Sequence, residues 1–143
     1  MIIRKALKKD LKEIAEIFRI ESAKYPYNKK RTSQKALEII KNDFKSNDLY
    51  VSIIDFKIVG FIMVVRDSGL KEKLWVNELW ILKEYQKKGI GRELMNKIEK
   101  VYKNKGIKIV ELVADTQKGG ATDFYKKVNY KIDPSMVFMK KQI

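Results

Sequence analysis

The chain has 143 residues, of which 45% are hydrophobic, and it contains no cysteine and no histidine. This length suits one domain with a sizeable core, and the missing residue types exclude disulfides, thiolate nucleophiles, imidazole bases and His/Cys zinc sites. No metal site is therefore expected. No apolar run approaches the roughly 20 residues of a membrane span, and the N-terminus is charged too early for a signal peptide. These features favour a soluble cytoplasmic protein.

The formal net charge of +14 raises the question of a nucleic-acid partner. Arginine dominates bidentate recognition of phosphates and bases, but almost all of this positive charge is lysine. The lysines alternate with glutamates along predicted helices, as a solvated surface does. A nucleic-acid partner is therefore disfavoured, although an acidic partner stays open.

The predicted elements begin with a short strand at 2–5 and two amphipathic helices. Asp10 is placed to cap the first helix, with Glu13 completing a capping box, and Ser33 is placed to cap the second. A strand hairpin, a polar loop around Asp67–Gly69 and a third strand follow. The remaining predicted elements are a helix from Gly91 to Gly106, a strand at 107–114, a short helix at 121–127 and a last strand at 135–141. This order predicts a single α/β domain over residues 1–143.

The turn between the third strand and the long helix has the sequence QKKGIG, Gln86–Gly91. Unpaired backbone amides at a helix start and the helix dipole favour anions, and glycine lets the backbone approach a ligand closely. Lys87, Lys88 and Arg92 add positive charge. The spacing is equally compatible with an ordinary strand-to-helix turn that carries surface lysines, so it leaves the anion open.

Residues 79–95, LWILKEYQKKGIGRELM, resemble the signature of the GCN5-related N-acetyltransferases (GNAT). That signature is an apolar strand followed by Arg/Gln-x-x-Gly-x-Gly/Ala and a helix, and Gln86, Gly89 and Gly91 fill its fixed positions. The downstream segment 121–130, ATDFYKKVNY, resembles the second family signature through Phe124–Tyr125. The order of predicted elements is also similar to the family fold from Ile2 to Lys140.

The resemblance implies an α/β fold with a central mixed, mostly antiparallel sheet flanked by helices, and acetyl-CoA as cosubstrate. It places the pantetheine arm along the strand residues Leu79, Trp80 and Ile81, in a splay between this strand and the next one. It places the pyrophosphate on the backbone amides of the turn, which are those of Lys87, Lys88, Gly89, Ile90, Gly91 and Arg92. The lysine side chains, Lys87 in particular, can also be read as simply solvated.

Transfer of an acetyl group from a thioester to an amine needs a neutral amine, a stabilised oxyanion and a proton for the thiolate. Without cysteine or histidine, direct attack is favoured over a covalent acetyl-enzyme, and the Ile81 amide is a candidate oxyanion donor. The resemblance makes Tyr125 the candidate acid, although a core tyrosine fits as well. Glu78 is the candidate base, or else a salt-bridge partner of a lysine, and Glu111 is a weaker second candidate.

The sheet period places Val76, Glu78 and Trp80 on one face of the third strand and Asn77, Leu79 and Ile81 on the other. The family resemblance also implies that the acceptor side lies near Tyr25–Tyr27 and near 67–73.

The resulting prediction is an N-acetyltransferase that acts on an amine-bearing acceptor, either a small molecule or a protein, with a homodimer possible. Two alternatives are a basic nucleic-acid-binding module and a catalytically inactive CoA-binding protein on the same fold. The segment Thr116–Gly120 departs from the family, because N-terminal acetyltransferases often carry a cofactor-contacting Asn there, and this disfavours N-terminal peptides as acceptors.

Overall fold

A five-stranded sheet with the strand order β1-β2-β3-β4-β5 forms the centre of the fold in this computed structural model, which describes residues 1–65 and 72–143. The strands are β1 (Ile2–Lys5), β2 (Asn47–Ile54), β3 (Lys57–Val65), β4 (Lys73–Ile81) and β5 (Ile109–Glu111). The first three pairings are antiparallel, and β4 pairs with β5 in parallel. The predicted α/β class with a mixed, mostly antiparallel sheet is confirmed. The predicted polar loop at Asp67–Gly69 lies outside the described residues.

The helices cover the two faces of this sheet. They are α1 (Leu11–Ser22), α2 (Ser33–Phe44), α3 (Ile90–Lys103) and α4 (Thr122–Lys127). One buried cluster joins α1 and α2 to the sheet, and a second joins α3 and α4 to the opposite face. The predicted apolar stripe of α3 is buried as expected, because Ile90, Leu94, Ile98 and Tyr102 recur at helical spacing.

Asp10 does not cap α1, which corrects the sequence prediction. Asp10 ends a short 3-10 turn, and its side chain makes no cap hydrogen bond to α1. Its carboxylate instead accepts the Leu7 amide at 2.7 Å and two Arg4 guanidinium bonds at 2.7 and 3.1 Å. Glu13 does not complete a capping box, because its carboxylate accepts the Ile58 amide of β3. A bidentate arginine and a backbone amide outcompete a cap for the same oxygens.

The N-cap of α2 also differs from the prediction by one residue. Thr32 has extended backbone angles, and its hydroxyl accepts the Lys35 amide at 3.1 Å. Ser33 is the first helical residue. Threonine and serine can both cap, so two adjacent hydroxyl residues do not fix the boundary in sequence.

Asp10→Asn is expected to destabilise the fold by about 1–3 kcal/mol, because a buried charged hydrogen-bond partner of Arg4 is lost. The Arg4 hydrogen bond, together with the Leu7 amide, holds the pKa of Asp10 below its usual value. Its stabilisation is therefore present at neutral pH and is lost as the pH falls through this lowered pKa. Urea unfolding from pH 7 down to pH 3 measures both effects. Glu38→Gln, at an exposed pair with Lys35, is the control and should change stability little.

The predicted last strand at 135–141 is wrong, since these residues form no strand. The Asp133 carboxylate turns the chain by accepting the Ser135 amide at 2.9 Å. The apolar side chains beyond this turn stay in solvent, with Met136 73% and Phe138 81% exposed. The alternating pattern supplies strand propensity, but a strand forms only where a partner strand is presented.

Candidate active site

A β-bulge in β4 sets the direction of the Glu78 side chain. Met63 of β3 pairs with Glu78 while the next residue, Val64, pairs with Val76, so Asn77 is an extra residue in β4. The bulge shifts the alternation by one position. Val76 consequently packs in the α3 cluster with Leu79 and Ile81, and the prediction that it shares a face with Glu78 and Trp80 is wrong.

A cavity opens where β4 and β5 separate. Their parallel pairing ends at Trp75 and Glu111, and the two strands splay beyond that point, as the family resemblance implies. The space between them is a cavity of about 90 Å³. It is lined by residues of β4, of the segment that follows β5, of the loop before α2 and of α4 with its N-cap: Tyr27, Val76, Asn77, Glu78, Leu79, Trp80, Val113, Ala114, Asp115, Ala121 and Tyr125.

The edge of β4 that faces this cavity pairs with no strand beyond Trp75. The Leu82 amide bonds back to the Val59 carbonyl of β3 at 2.9 Å. Because backbone groups alternate in direction along a strand, the Ile81 amide points to the opposite side, toward the splay. The side-chain amide of Gln86 donates to the Ile81 carbonyl at 2.9 Å. The backbone groups of Ile81 therefore face the turn that contains Gln86. Gln86 thus holds the turn against the strand.

The start of α3 presents backbone amides at the end of the same turn. Gly89 is the N-cap with φ +82°, and no side chain caps the helix. The first backbone bond of α3 runs from Glu93 to the Gly89 carbonyl, so the amides of Gly89, Ile90, Gly91 and Arg92 lack intrahelical acceptors. A Cβ added to Gly89 would meet no atom within 4 Å. The positive φ is therefore the reason why glycine is favoured at position 89, since packing against other residues is not. The space that a side chain would occupy there is open.

Gly91 joins the two sequence signatures by direct packing. A Cβ at Gly91 would lie 3.0 Å from the Phe124 ring, closer than ordinary side-chain contacts allow. Phe124 in turn packs edge-on against Tyr125, with ring centroids 5.0 Å apart. The second glycine of the turn therefore suits the close packing of α3 against α4, because an added Cβ would require the Phe124 ring to shift, and this reason is not visible in the sequence.

The cationic side chains of the turn lie at the surface. Lys87 is exposed with φ +61°, and Lys88 extends over the Tyr85 ring, 5.6 Å from its centroid. Arg92 donates to the Lys127 carbonyl at 3.3 Å, near the C-terminus of α4. These positions leave the lysines solvated while they add positive potential beside the exposed amides.

Glu78 is half-buried, and its carboxylate lies beside aromatic rings. The Trp80 indole N–H donates to it, and Trp80 packs edge-on against Tyr27 at 4.9 Å between centroids. Burial raises the pKa of Glu78, and this effect exceeds the opposing effects of Trp80, Lys29 and Arg31. A carboxylate with a raised pKa is a stronger base than an ordinary glutamate.

Tyr125 of α4 lines the same cavity as Glu78. It is 9% exposed and packs against Phe124 and Tyr130. Burial raises the pKa of Tyr125, and the proximity of Tyr27 and of the Glu78 charge raises it further. Its hydroxyl therefore keeps its proton at neutral pH, as a proton donor requires. Among the described residues, none hydrogen-bonds to this hydroxyl.

Other cavity residues were only partly anticipated. Tyr27 lies at the cavity, as expected for the loop before α2. The sequence does not identify Asp115 and the bulge residue Asn77 as cavity residues, because no sequence pattern marks the end of β5 or the bulge. Glu111, the second candidate base, pairs with Lys73 at 3.3 Å and does not line the cavity.

A larger cavity of about 330 Å³ lies at the C-terminal end of α3, beside Tyr102. It is lined by Lys5, Asp48, Tyr102, Lys105 and Ile107. Asp48 is already bound by Tyr102 and, at 2.9 Å, by Lys5. The splay and the exposed amides meet at the other end of the helix, roughly 20 Å away for a helix of this length. The smaller cavity is therefore the candidate active site.

The fold is that of known acetyltransferases. The structure of a possible acetyltransferase from Clostridium difficile 630 superposes with a TM-score of 0.82 at 22% identity, covering 99% of this chain and 97% of the other. The profile of the acetyltransferase (GNAT) family matches residues 14–130. The chain belongs to this family, as the resemblance of the two signatures predicts.

Two curated relatives extend this comparison. An uncharacterised N-acetyltransferase of Methanocaldococcus jannaschii is 28% identical over 90% of this chain, which spans only 60% of that protein. The spermidine N(1)-acetyltransferase of Thermoplasma acidophilum is 29% identical over 92% of this chain and 88% of its own length. Within residues 1–65 and 72–143, no helix combines the length and apolar composition that a membrane span requires.

Proposed function

We propose that this chain is an acetyl-CoA-dependent N-acetyltransferase that transfers acetyl directly to a primary amine. The observation that carries the proposal is that Glu78 and Tyr125 line one cavity beside the splayed edge of β4, while Gln86 ties the adjoining turn at the start of α3 to Ile81 of the same strand. Family membership supports the same activity. It does not favour the nucleic-acid module or the inactive CoA-binding protein.

The residues that would hold acetyl-CoA are those of the turn and of β4. The amides of Gly89, Ile90, Gly91 and Arg92 suit a pyrophosphate, with those of Lys87 and Lys88 beside them, because they lie at a helix start with a glycine in open space. The open edge at Leu79, Trp80 and Ile81 suits the amide-bearing pantetheine arm, which would pair with it as an added strand does. Acetyl-CoA supplies an activated acetyl thioester.

The remaining chemistry falls to three groups of this chain. Glu78 accepts the amine proton, directly or through water, so that the nitrogen lone pair can attack the thioester carbonyl carbon. The Ile81 amide donates to the carbonyl oxygen as negative charge develops there. As the carbon–sulfur bond breaks, Tyr125 gives its proton to the sulfur. An amide and a thiol result: the second proton of the attacking nitrogen returns to Tyr125, directly or through water, and Glu78 releases its proton to solvent.

Gly89→Ala tests the cofactor site, with Gly106→Ala as its matched control. Both glycines have a positive φ, +82° and +88°, and an added Cβ would meet nothing within 4 Å at either position. Each variant should lose about 1 kcal/mol of stability from backbone strain. Only Gly89→Ala should also weaken acetyl-CoA binding, by about tenfold or more for lost phosphate contacts.

Isothermal titration calorimetry with acetyl-CoA measures this difference. Absence of binding to the wild-type protein at tens of micromolar would contradict the proposed cofactor. Equal weakening in both variants would show that strain, and not the turn amides, accounts for the loss.

A further inference from the structure

The cavity between β4 and the segment after β5 has a charge opposite to that of the chain. Two carboxylates line it, those of Glu78 and Asp115, and no lysine or arginine is among its described lining residues. The whole chain carries a formal net charge of +14, with 32 lysines and arginines. A cavity lined by acids alone in such a basic protein indicates a ligand with positive charge.

Neither carboxylate forms an ion pair with a cation of the protein. Within residues 1–65 and 72–143, no lysine or arginine nitrogen lies within 4.0 Å of an oxygen of Glu78 or Asp115. Lys29 and Arg31 act on the charge of Glu78 from outside the cavity, since neither of them lines it. The Arg31 guanidinium donates instead to the Ser22 hydroxyl at 2.9 Å. Both acids are therefore available to a cationic ligand.

Each carboxylate is held through one oxygen and keeps the other. The Trp80 indole N–H donates to Oε2 of Glu78, and the Gln117 amide donates to Oδ1 of Asp115 at 2.7 Å. Among the described residues, none donates a hydrogen bond to Oε1 of Glu78 or to Oδ2 of Asp115. A positioned carboxylate with a second oxygen available can accept an N–H of an ammonium group.

The segment that carries Asp115 is tightly packed, which fixes the place of this carboxylate. A Cβ added to Gly120 would lie 2.4 Å from the Asp115 carbonyl oxygen, and a Cβ added to Gly119 would lie 3.8 Å from the Pro26 ring. The segment after β5 therefore lies against the loop that also carries Tyr27. Asp115 and Tyr27 both line the cavity from this side.

Aromatic rings line the space beside the two acids. The rings of Tyr27 and Trp80 pack edge-on with centroids 4.9 Å apart, and Tyr125 lines the same cavity. Aromatic surface packs well against an aliphatic chain, and the ring faces attract cations. Two acids and an aromatic wall in one cavity fit an aliphatic chain that bears two ammonium groups.

We infer that the acceptor is a short aliphatic diamine, whose reacting nitrogen lies at Glu78 and whose second ammonium group pairs with Asp115. This inference rests on the proposed acetyltransferase function and specifies its substrate class. Asp115 is then the residue that determines acceptor specificity, while Glu78 remains the base for any amine.

Acceptors that differ only in the group at the far end test the inference. 1,4-Diaminobutane, 4-aminobutan-1-ol and 5-aminopentanoate share a chain of four methylenes and carry a cationic, a neutral and an anionic end. Thiol release gives kcat/KM for each, and the value for the diamine is halved because it has two reactive ends. The diamine should exceed the amino alcohol by about tenfold or more, since it adds one charged contact, and the amino acid should be the poorest acceptor.

Diamines of increasing length provide a second measurement on the wild-type protein. Glu78 and Asp115 are both held by a hydrogen bond, so one spacing of the two ammonium groups should suit them best. From 1,3-diaminopropane to 1,6-diaminohexane, kcat/KM should therefore pass through a maximum. A steady rise with length, equal to that of the matching amino alcohols, would show apolar contact alone and would contradict a subsite for the second cation.

Asp115→Asn should lower the ratio of diamine to amino alcohol about tenfold, toward unity. The asparagine carbonyl can still accept the Gln117 amide, so the variant removes mainly the charge. Asp123→Asn is the matched control, because Asp123 is an exposed residue of α4 that does not line the cavity, and it should keep the wild-type ratio. Thermal unfolding and calorimetric titration of acetyl-CoA are recorded for both variants.

The outcomes separate the two proposals. Equal use of diamine and amino alcohol by the wild-type protein, or preference for the amino acid, overturns the inference and leaves the acetyltransferase function in place. An unchanged ratio in Asp115→Asn also overturns it, and weaker acetyl-CoA binding in that case would assign Asp115 to the cofactor. Absence of thiol release with every amine, despite acetyl-CoA binding, instead contradicts the proposed function and the inference with it.

Discussion

Replacing Tyr125 with phenylalanine is expected to lower kcat by about 10²–10³ while the affinity for acetyl-CoA stays near wild type. The phenylalanine keeps the ring that packs against Phe124 and Tyr130 and removes only the hydroxyl. Because burial keeps this hydroxyl protonated, the variant loses the proton donor for the leaving thiolate. Steady-state kinetics with thiol detection, together with calorimetric titration of acetyl-CoA, measure the two quantities separately.

Tyr130→Phe is the control for this experiment. Tyr130 lies one ring away, donates to the Glu99 carboxylate at 2.9 Å and does not line the cavity. Its loss should cost stability, about 1 kcal/mol for one hydrogen bond, with kcat nearly unchanged. If Tyr125→Phe retained full turnover, Tyr125 would be a packing residue, and another donor or water would protonate the thiolate.

Replacing Glu78 with glutamine is expected to lower kcat/KM at neutral pH by about 10²–10³ and to flatten the pH profile. Glu78 accepts a proton only when ionised, so the wild-type rate should rise with pH through its raised pKa, which lies above that of an ordinary glutamate. Glutamine cannot titrate, and this limb should disappear. The rate of single-turnover acetylation as a function of pH measures it.

Glu111→Gln is the matched control, since Glu111 pairs with Lys73 outside the cavity. Its acetylation rate should still rise with pH as in the wild type.

Stability provides a second check on Glu78, because a group with a raised folded pKa lowers stability as pH rises above its unfolded pKa. Glu78→Gln should therefore gain stability at neutral pH, on the order of 1 kcal/mol for a buried polar group with incomplete pairing. A loss of activity with this gain cannot be explained by unfolding.

Much of the fold was predictable because its signals are local. The apolar stripe of α3, with Ile90 and Tyr102 at its ends, follows from helical periodicity, and the hairpin of β2 and β3 follows from two strand-forming runs around a short turn. The turn Gln86–Gly91 and the pair Phe124–Tyr125 also stand in the sequence. The predictions of a cytoplasmic location and a homodimer stay predictions.

The predictions of local structure are wrong where a residue distant in the sequence determines the conformation. Asp10 carries a cap residue's side chain, but Arg4 and Leu7 take its oxygens. The segment 135–141 has a strand pattern, but a strand needs an edge to pair with. The bulge at Asn77 depends on how β3 and β4 align, and alternation alone cannot show it.

The sequence by itself determined the class of fold, the glycine-containing turn before α3 and the residue types available for the chemistry, because these depend on spacing and composition. Only the tertiary structure shows that the Phe124 ring packs against Gly91 and that Gln86 hydrogen-bonds to the Ile81 carbonyl. It alone brought Glu78 and Tyr125 to one cavity, because groups far apart in the chain meet only through packing. Their pKa values are likewise set by burial, which no local pattern contains.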